Sequence, residues 1–117
     1  CRIAMLEWLF FQVSTQGPAG GQFAHFAYYA RPEHRYPYAI ERFRNELERQ
    51  LKVMEGHLAG RDWFADEYSI ADMALLPYAV SWLGARRPEL PNLTRWYDAM
   101  LERPAVKRGM ALLEDSV

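Results

Sequence analysis

The sequence predicts an all-α fold, a bundle of about five to six helices with its central helix starting near Ser69. Three observations carry that expectation. The apolar residues recur at three- and four-residue spacing in segment after segment. No segment sustains the period-two alternation of a half-buried strand. Residues 67–78, Glu-Tyr-Ser-Ile-Ala-Asp-Met-Ala-Leu-Leu-Pro-Tyr, spell out a complete helix start. There Ser69 suits an N-cap, its hydroxyl accepting from the backbone N–H of Asp72. The Asp72 carboxylate can reach back to the N–H of Ser69, a capping box with Asp in place of the commoner Glu. Tyr68 and Met73 hold the two positions of a hydrophobic staple. The residues that follow, through Leu83, are apolar nearly all round, as befits a helix in the middle of a domain.

The remaining elements follow in chain order. Residues 2–14 place Ile3, Met5, Leu6, Leu9, Phe10 and Val13 on a broad helical face, with Trp8 and Phe11 beside it. Gly17-Pro18 is expected to interrupt this helix, with Pro18 in the first turn of a second segment running from Ala19 to about Tyr29. Gly20 and Gly21 either weaken that segment or admit another backbone closely. Residues 31–36 read as a loop. Pro37 opens the clearest amphipathic helix, in which Ile40, Phe43, Leu47, Leu51, Met54 and Leu58 form one stripe. Arg42–Glu46, Arg44–Glu48 and Glu48–Lys52 are i,i+4 pairs of opposite charge off that stripe. Gly60 suits the C-terminal stop, and the connector 61–68 is expected to turn Trp63 and Phe64 inward. Pro77 is expected to kink the capped helix. A loop spans residues 84–91. Pro91 opens a helix with Leu93, Trp96, Tyr97, Met100 and Leu101 as its apolar set. A last short helix after Arg103-Pro104 carries Val106, Met110 and Leu113.

Composition narrows the function classes. The 117 residues fit one domain, and 50% hydrophobic content is ample for a core. Fourteen basic against fifteen acidic residues give a net charge of -1, with no electrostatic footprint for nucleic acid. The single cysteine, Cys1, rules out an intramolecular disulfide or a Cys-based zinc site and is consistent with a reducing, cytosolic home. No apolar run approaches the ~18 residues of a transmembrane helix, so no membrane partner is expected. His25, His34 and His57 lack metal-ligand spacing, so no metal is expected and the histidines read as surface residues. No glycine-rich phosphate loop, nucleophile elbow or Cys-x-x-Cys is present. Asp72 reads as a cap and not as a general base. Nine aromatic residues crowd the first 38 positions, more than one helix face hides, so some are expected to line a pocket or an interface. On the residues alone Arg42 is a solvated ion-pair partner.

Residues 68–74, Tyr-Ser-Ile-Ala-Asp-Met-Ala, resemble the S/T-x-x-D folding motif of the C-terminal helical domain of cytosolic glutathione transferases. Residues 7–13, Gln16-Gly17-Pro18, Gly21-Gln22 and residues 37–43 are similar to one subgroup. These are the bacterial Nu-class enzymes, relatives of the yeast nitrogen-regulator prion protein. Pro91-Asn92-Leu93, Trp96 and residues 103–106 resemble the same domain's last helices, so the likeness spans essentially the whole chain.

This resemblance implies half of a two-domain enzyme. A thioredoxin-like domain upstream of Cys1 would hold most of the glutathione site and the hydroxyl residue that assists the thiol. The helix-like, uncapped start at residues 1–13 fits a chain cut from something longer. Glutathione is the implied co-substrate, with a small hydrophobic electrophile or a disulfide as its partner, in a cytoplasmic homodimer. No catalytic residue is expected in this chain. The arginine of the Tyr-Ala-Ile-Glu-Arg motif, which reaches glutathione in the subgroup, corresponds to Arg42. Trp8, Phe11, Gln12 and Gln22 become candidates for the co-substrate pocket or dimer interface. Two departures from the subgroup pattern, Ser14-Thr15 for Gly-Gly and Ala19 for Met, are expected at the pocket edge and bear on the co-substrate. The alternative is a non-enzymatic scaffold or protein-interaction module of the same helical type.

Overall fold

In the computed structural model, which describes residues 1–114, the helical periodicity becomes six α-helices: α1 (Arg2–Phe11), α2 (Gly17–Ala24), α3 (Pro37–His57), α4 (Ile70–Leu83), α5 (Pro91–Leu101) and α6 (Pro104–Glu114). No strand occurs among the described residues. Short 3-10 turns occupy Pro32–His34 and Gly84–Glu89, where loops are expected. The side chain of Leu113, one of the apolar residues assigned to the last helix, lies outside the described residues.

Gly17-Pro18 does not interrupt the first helix. The chain passes from α1 to α2 through a π turn, Gln12–Gln16, with helical dihedrals at Gly17. The N–H of Gly17 donates five residues back, to the carbonyl of Gln12. Proline forbids only the α-type bond and clashes with the carbonyl four residues back, and widening the turn before it relieves both constraints. Ser14 Oγ donates to the Phe10 carbonyl at 2.6 Å inside this region. A second π turn, His25–Tyr29, carries α2 on to Ala30. The result is one long, twice-widened rod lying against α3 and α4.

The stripe on α3 behaves as expected. Leu47, Leu51, Met54 and Leu58 are buried, and Ile40 and Phe43 are half-buried at its start. The helix stops at His57, and Gly60 serves the turn beyond it with a φ of +73°. The ends of α3 and α5 cap each other. Glu55 on α3 accepts from the N–H groups of Asn92 and Leu93, at 2.9 and 2.7 Å, where α5 begins. Arg95 on α5 donates to the carbonyls of Leu58 and Arg61 just past the end of α3. A carboxylate at a helix start and a guanidinium at a helix end are the pairings that orphan backbone groups and the helix dipole both favour.

The capped helix starts as expected. Ser69 Oγ accepts from the N–H of Ala71 at 3.2 Å, and Asp72 Oδ2 accepts from the N–H of Ser69 at 3.1 Å, within a capping box. Asp72 does more than cap. Fully buried, it also accepts from the N–H of Phe64 at 3.2 Å and from the indole Nε1–H of Trp96 at 2.8 Å. One carboxylate thereby ties together the connector, the start of α4 and the middle of α5. Tyr68 packs on Trp63 and lies under the guanidinium of Arg103, 3.4 Å from its ring centroid. Its expected staple partner Met73 is 48% exposed. Helix α4 runs unbroken through Pro77, and it is not buried all round, for Ile70, Met73 and Val80 face outward. Uniform apolarity here overstates burial, because the helix meets α1, the first π turn and α5 but leaves one side open.

Two clusters make the core. The larger joins Leu51, Met54, Leu58 and Phe64 to Leu75, Leu76, Leu83, Leu93, Trp96 and Met100. The smaller holds Ala19, Phe23 and Leu47, and Trp82 packs against both. Ala19 thus sits inside the core, not at the edge of a pocket, because the continuous rod turns it towards α3.

Candidate functional site

None of the three i,i+4 charge pairs expected on α3 forms among the described residues. Glu48 reaches instead to Arg86, at 2.6 Å, and Arg44 lies over the ring of Phe23, 5.7 Å from its centroid. Glu46 turns to Arg49, which grips it with a two-pronged fork, Nη2 to Oε1 at 2.7 Å and Nε to Oε2 at 2.9 Å. The direction has a physical cause. A helix favours a carboxylate on the N-terminal side of its cation over the reverse order, and Arg42–Glu46 has the reverse order. Gln50 adds to the bias. Its buried Nε2 donates to Glu46 Oε1 at 3.0 Å and to the carbonyl of Thr15 at 3.4 Å. The Arg49 hydrogen bond, then that of Gln50, holds the Glu46 carboxyl down to about 2.

Arg42 is left exposed and without an ion-pair partner among the described residues. It lines an open groove of about 670 Å³ along α3, together with Tyr38, Glu41, Asn45, Glu46 and Arg49. These residues recur every three or four positions on the side of α3 away from its buried stripe. The groove therefore offers one free guanidinium, the exposed carboxylate of Glu41, a second carboxylate neutralised by a second guanidinium, and an exposed phenol. A planar, permanently charged guanidinium in such a place suits a carboxylate ligand.

The other candidates lie elsewhere. Trp8 and Phe11 are half-buried on α1, with ring centroids 5.0 Å apart. Trp8 packs on His57 at 4.3 Å and on Phe64 at 4.8 Å, against the large core cluster. His57 marks the far end of α3, about 22 Å from Arg42 at 1.5 Å per residue, so the two sets do not share one cavity. His57 itself is no surface histidine. Half-buried, it stacks on Phe64 and bonds the Phe64 carbonyl through Nε2 at 2.7 Å. Gln12 opens the first π turn with its amide beside Gly17, where the hydroxyl of Tyr78 also converges. Gln22 is exposed on α2. Phe10, Tyr28, Tyr29, Tyr36 and Tyr38 remain exposed. No cluster of His, Cys, Asp or Glu able to hold a metal ion occurs among the described residues.

Several features of this region escape a linear reading. The Glu46–Arg49 fork was available as an i,i+3 spacing, and helix direction favours it over the alternative. Buried Gln16 and Gln50, each with an Oε1 that has no partner among the described residues, carry no sequence signal at all. The stacking of Tyr78 on Gly20 joins residues 58 positions apart.

Residues 37–99 match the model of the glutathione S-transferase C-terminal domain. The chain belongs to this family. The match begins at the first residue of α3 and takes in Arg42, the fork and the capped helix. Among curated relatives, the disulfide-bond oxidoreductase YfcG of Escherichia coli is 40% identical over 97% of this chain and 52% of its own length. The glutathione S-transferase-like protein tpcF of Aspergillus fumigatus is 36% identical over 90% of this chain and 53% of its own. The chain thus spans about half the length of these relatives. Among solved structures, the glutathione transferase URE2P5 of Phanerochaete chrysosporium superposes with a TM-score of 0.88 at 32% identity, over 97% of this chain and 54% of that one. A glutathione transferase of Burkholderia graminis, with two glutathione molecules bound per subunit, gives 0.83 at 34% identity, over 92% of this chain and 48% of that one. As a glutathione S-transferase C-terminal domain, the chain has the all-helical fold expected of it. No helix among the described residues is long and apolar enough to cross a membrane.

Proposed function

We propose that this domain supplies the helical half of a Nu-class glutathione transferase or glutathione-dependent disulfide reductase, and that Arg42 holds a carboxylate of glutathione. The observation that carries the reading is the unpaired Arg42 guanidinium in the α3 groove, in a chain whose structural relatives include glutathione complexes. The likeness to YfcG supports disulfide reduction, and the likeness to named glutathione transferases supports conjugation. In either case the glutathione thiolate is the nucleophile. Attack on a disulfide forms a mixed disulfide and expels a thiolate, whereas attack on an electrophilic carbon forms a thioether. The group that activates the thiol lies outside this chain, in a thioredoxin-like domain. The exposed aromatic residues of the first rod support a dimer interface in the complete, cytoplasmic protein. Trp8, Phe11, Gln12 and Gln22 belong to the co-substrate pocket or to that interface.

The test is calorimetric titration of the full-length gene product with glutathione. Arg42→Ala is expected to weaken binding about tenfold or more, the scale of a lost charge-assisted hydrogen bond. An unchanged affinity returns Arg42 to the role of a solvated surface charge.

A further inference from the structure

We infer that Arg49 is a positioning residue for the glutathione site: by monopolising the Glu46 carboxylate, it keeps Arg42 free for the ligand. This rests on the reading of Arg42 given above and deepens it.

Glu46 lies between two arginines on one face of α3, four residues after Arg42 and three before Arg49, within side-chain reach of both positions. Only one claim on it is realised. Arg49 takes both carboxylate oxygens, and Gln50 takes a share of one of them from below. Gln50 is 1% exposed and bonded to the Thr15 carbonyl on the first rod, so its hold on Glu46 is braced from outside the helix. Arg42 acts on Glu46 only through space, as the weakest of the influences that favour its charged form. The fork therefore has a consequence outside itself. Without it, a negative Glu46 would sit one turn from Arg42 with only the neutral Gln50 amide as its other partner, and a ligand carboxylate would have to compete with it. With it, the Glu46 charge is cancelled locally and the Arg42 guanidinium faces an open groove.

The arrangement also sets ligand charge. Of the two guanidiniums in the groove, one is already occupied by an internal carboxylate, so the groove is matched to a single ligand carboxylate at this end. Releasing Arg49 would add a second anion-binding position.

The experiment uses the full-length gene product, glutathione as ligand and calorimetry as readout. Arg49→Met keeps the aliphatic stem and removes the fork. It is expected to weaken glutathione binding about two- to fivefold, as Glu46 turns to Arg42 and its charge opposes the ligand. Glu46→Gln in that background removes the competitor and is expected to restore the original affinity, since the groove's net charge is then also restored. Glu46→Gln alone frees Arg49 beside the already free Arg42 and is expected to bind about twofold tighter. If Arg42→Ala has no effect, the assignment of glutathione to Arg42 fails. If Arg42→Ala weakens binding and Arg49→Met does not, that assignment stands and the positioning role of Arg49 is overturned. A double variant that stays weak means that Arg49 touches the ligand itself or merely supports the helix, and this too overturns the proposal. Weaker binding by Glu46→Gln alone has the same meaning.

Discussion

At the scale of single residues, Asp72 and Glu46 show how differently two carboxylates on helices are used. Asp72 reads from sequence as half of a capping box, which makes its loss comparable to that of Ser69. Its burial and its three N–H partners separate the two. Ser69→Ala is expected to cost roughly 0.5–2 kcal/mol, as lost caps do. Asp72→Ala leaves the Phe64 N–H and the Trp96 indole N–H buried without an acceptor, and about 3 kcal/mol or more is expected. Urea denaturation of both variants checks the order, and equal midpoints would reduce Asp72 to its cap. Glu46 is instead an accessible group held by its neighbours. Its carboxyl is depressed to about 2 in the folded chain. A depressed acid stabilises fully above its unfolded value and loses that stabilisation as pH falls through the folded one. The fork's contribution is therefore complete above about pH 5 and lost towards pH 2. Glu46→Gln is expected to flatten this part of the acid limb, measured as melting temperature against pH, by a modest amount because the pair meets solvent.

At the scale of elements, the first rod is where local rules and the fold part company. Gly-Pro is a fair stop signal, yet a π turn carries the helix past it. Two adjacent glycines on α2 make the point testable. A Cβ on Gly20 would lie 2.6 Å from the Tyr78 ring of α4, whereas one on Gly21 meets nothing within 4 Å. Gly20→Ala is expected to destabilise by about 1–3 kcal/mol through overpacking. Gly21→Ala is expected to stabilise by up to about 1 kcal/mol, because alanine loses less backbone entropy in a helix. Thermal melts of the two variants should move in opposite directions. Helix α3 teaches a related lesson. Its buried stripe is fully legible because period alone decides which face turns inward. Its charge pairs are not, because Glu48 and Arg44 leave the helix surface for Arg86 and Phe23, which are distant in sequence.

At the scale of the whole molecule, the chain spans about half the length of its curated relatives, and the proposed chemistry draws its thiol-activating group from outside these residues. The 117 residues alone are expected to turn over no glutathione with a generic electrophile, because no group among their candidate site residues activates a thiol. A spectrophotometric conjugation assay checks this, and measurable turnover would place thiol activation inside the chain. Much of the architecture was determined by the sequence alone. Its periodicities made the chain all-α, the Ser69–Asp72 spacing located α4, and Pro37 and Pro91 marked where α3 and α5 begin. Those are local properties, set by hydrogen bonds and dihedrals within a turn or two. Tertiary structure decided what side chains with more than one possible partner do. It braced Gln50, and through it Glu46, on the Thr15 carbonyl, drew Trp96 onto Asp72, and set Trp8 at the opposite end of α3 from the groove. Each of these outcomes depends on which residues from distant parts of the chain arrive at one place, and helical spacing carries no record of that.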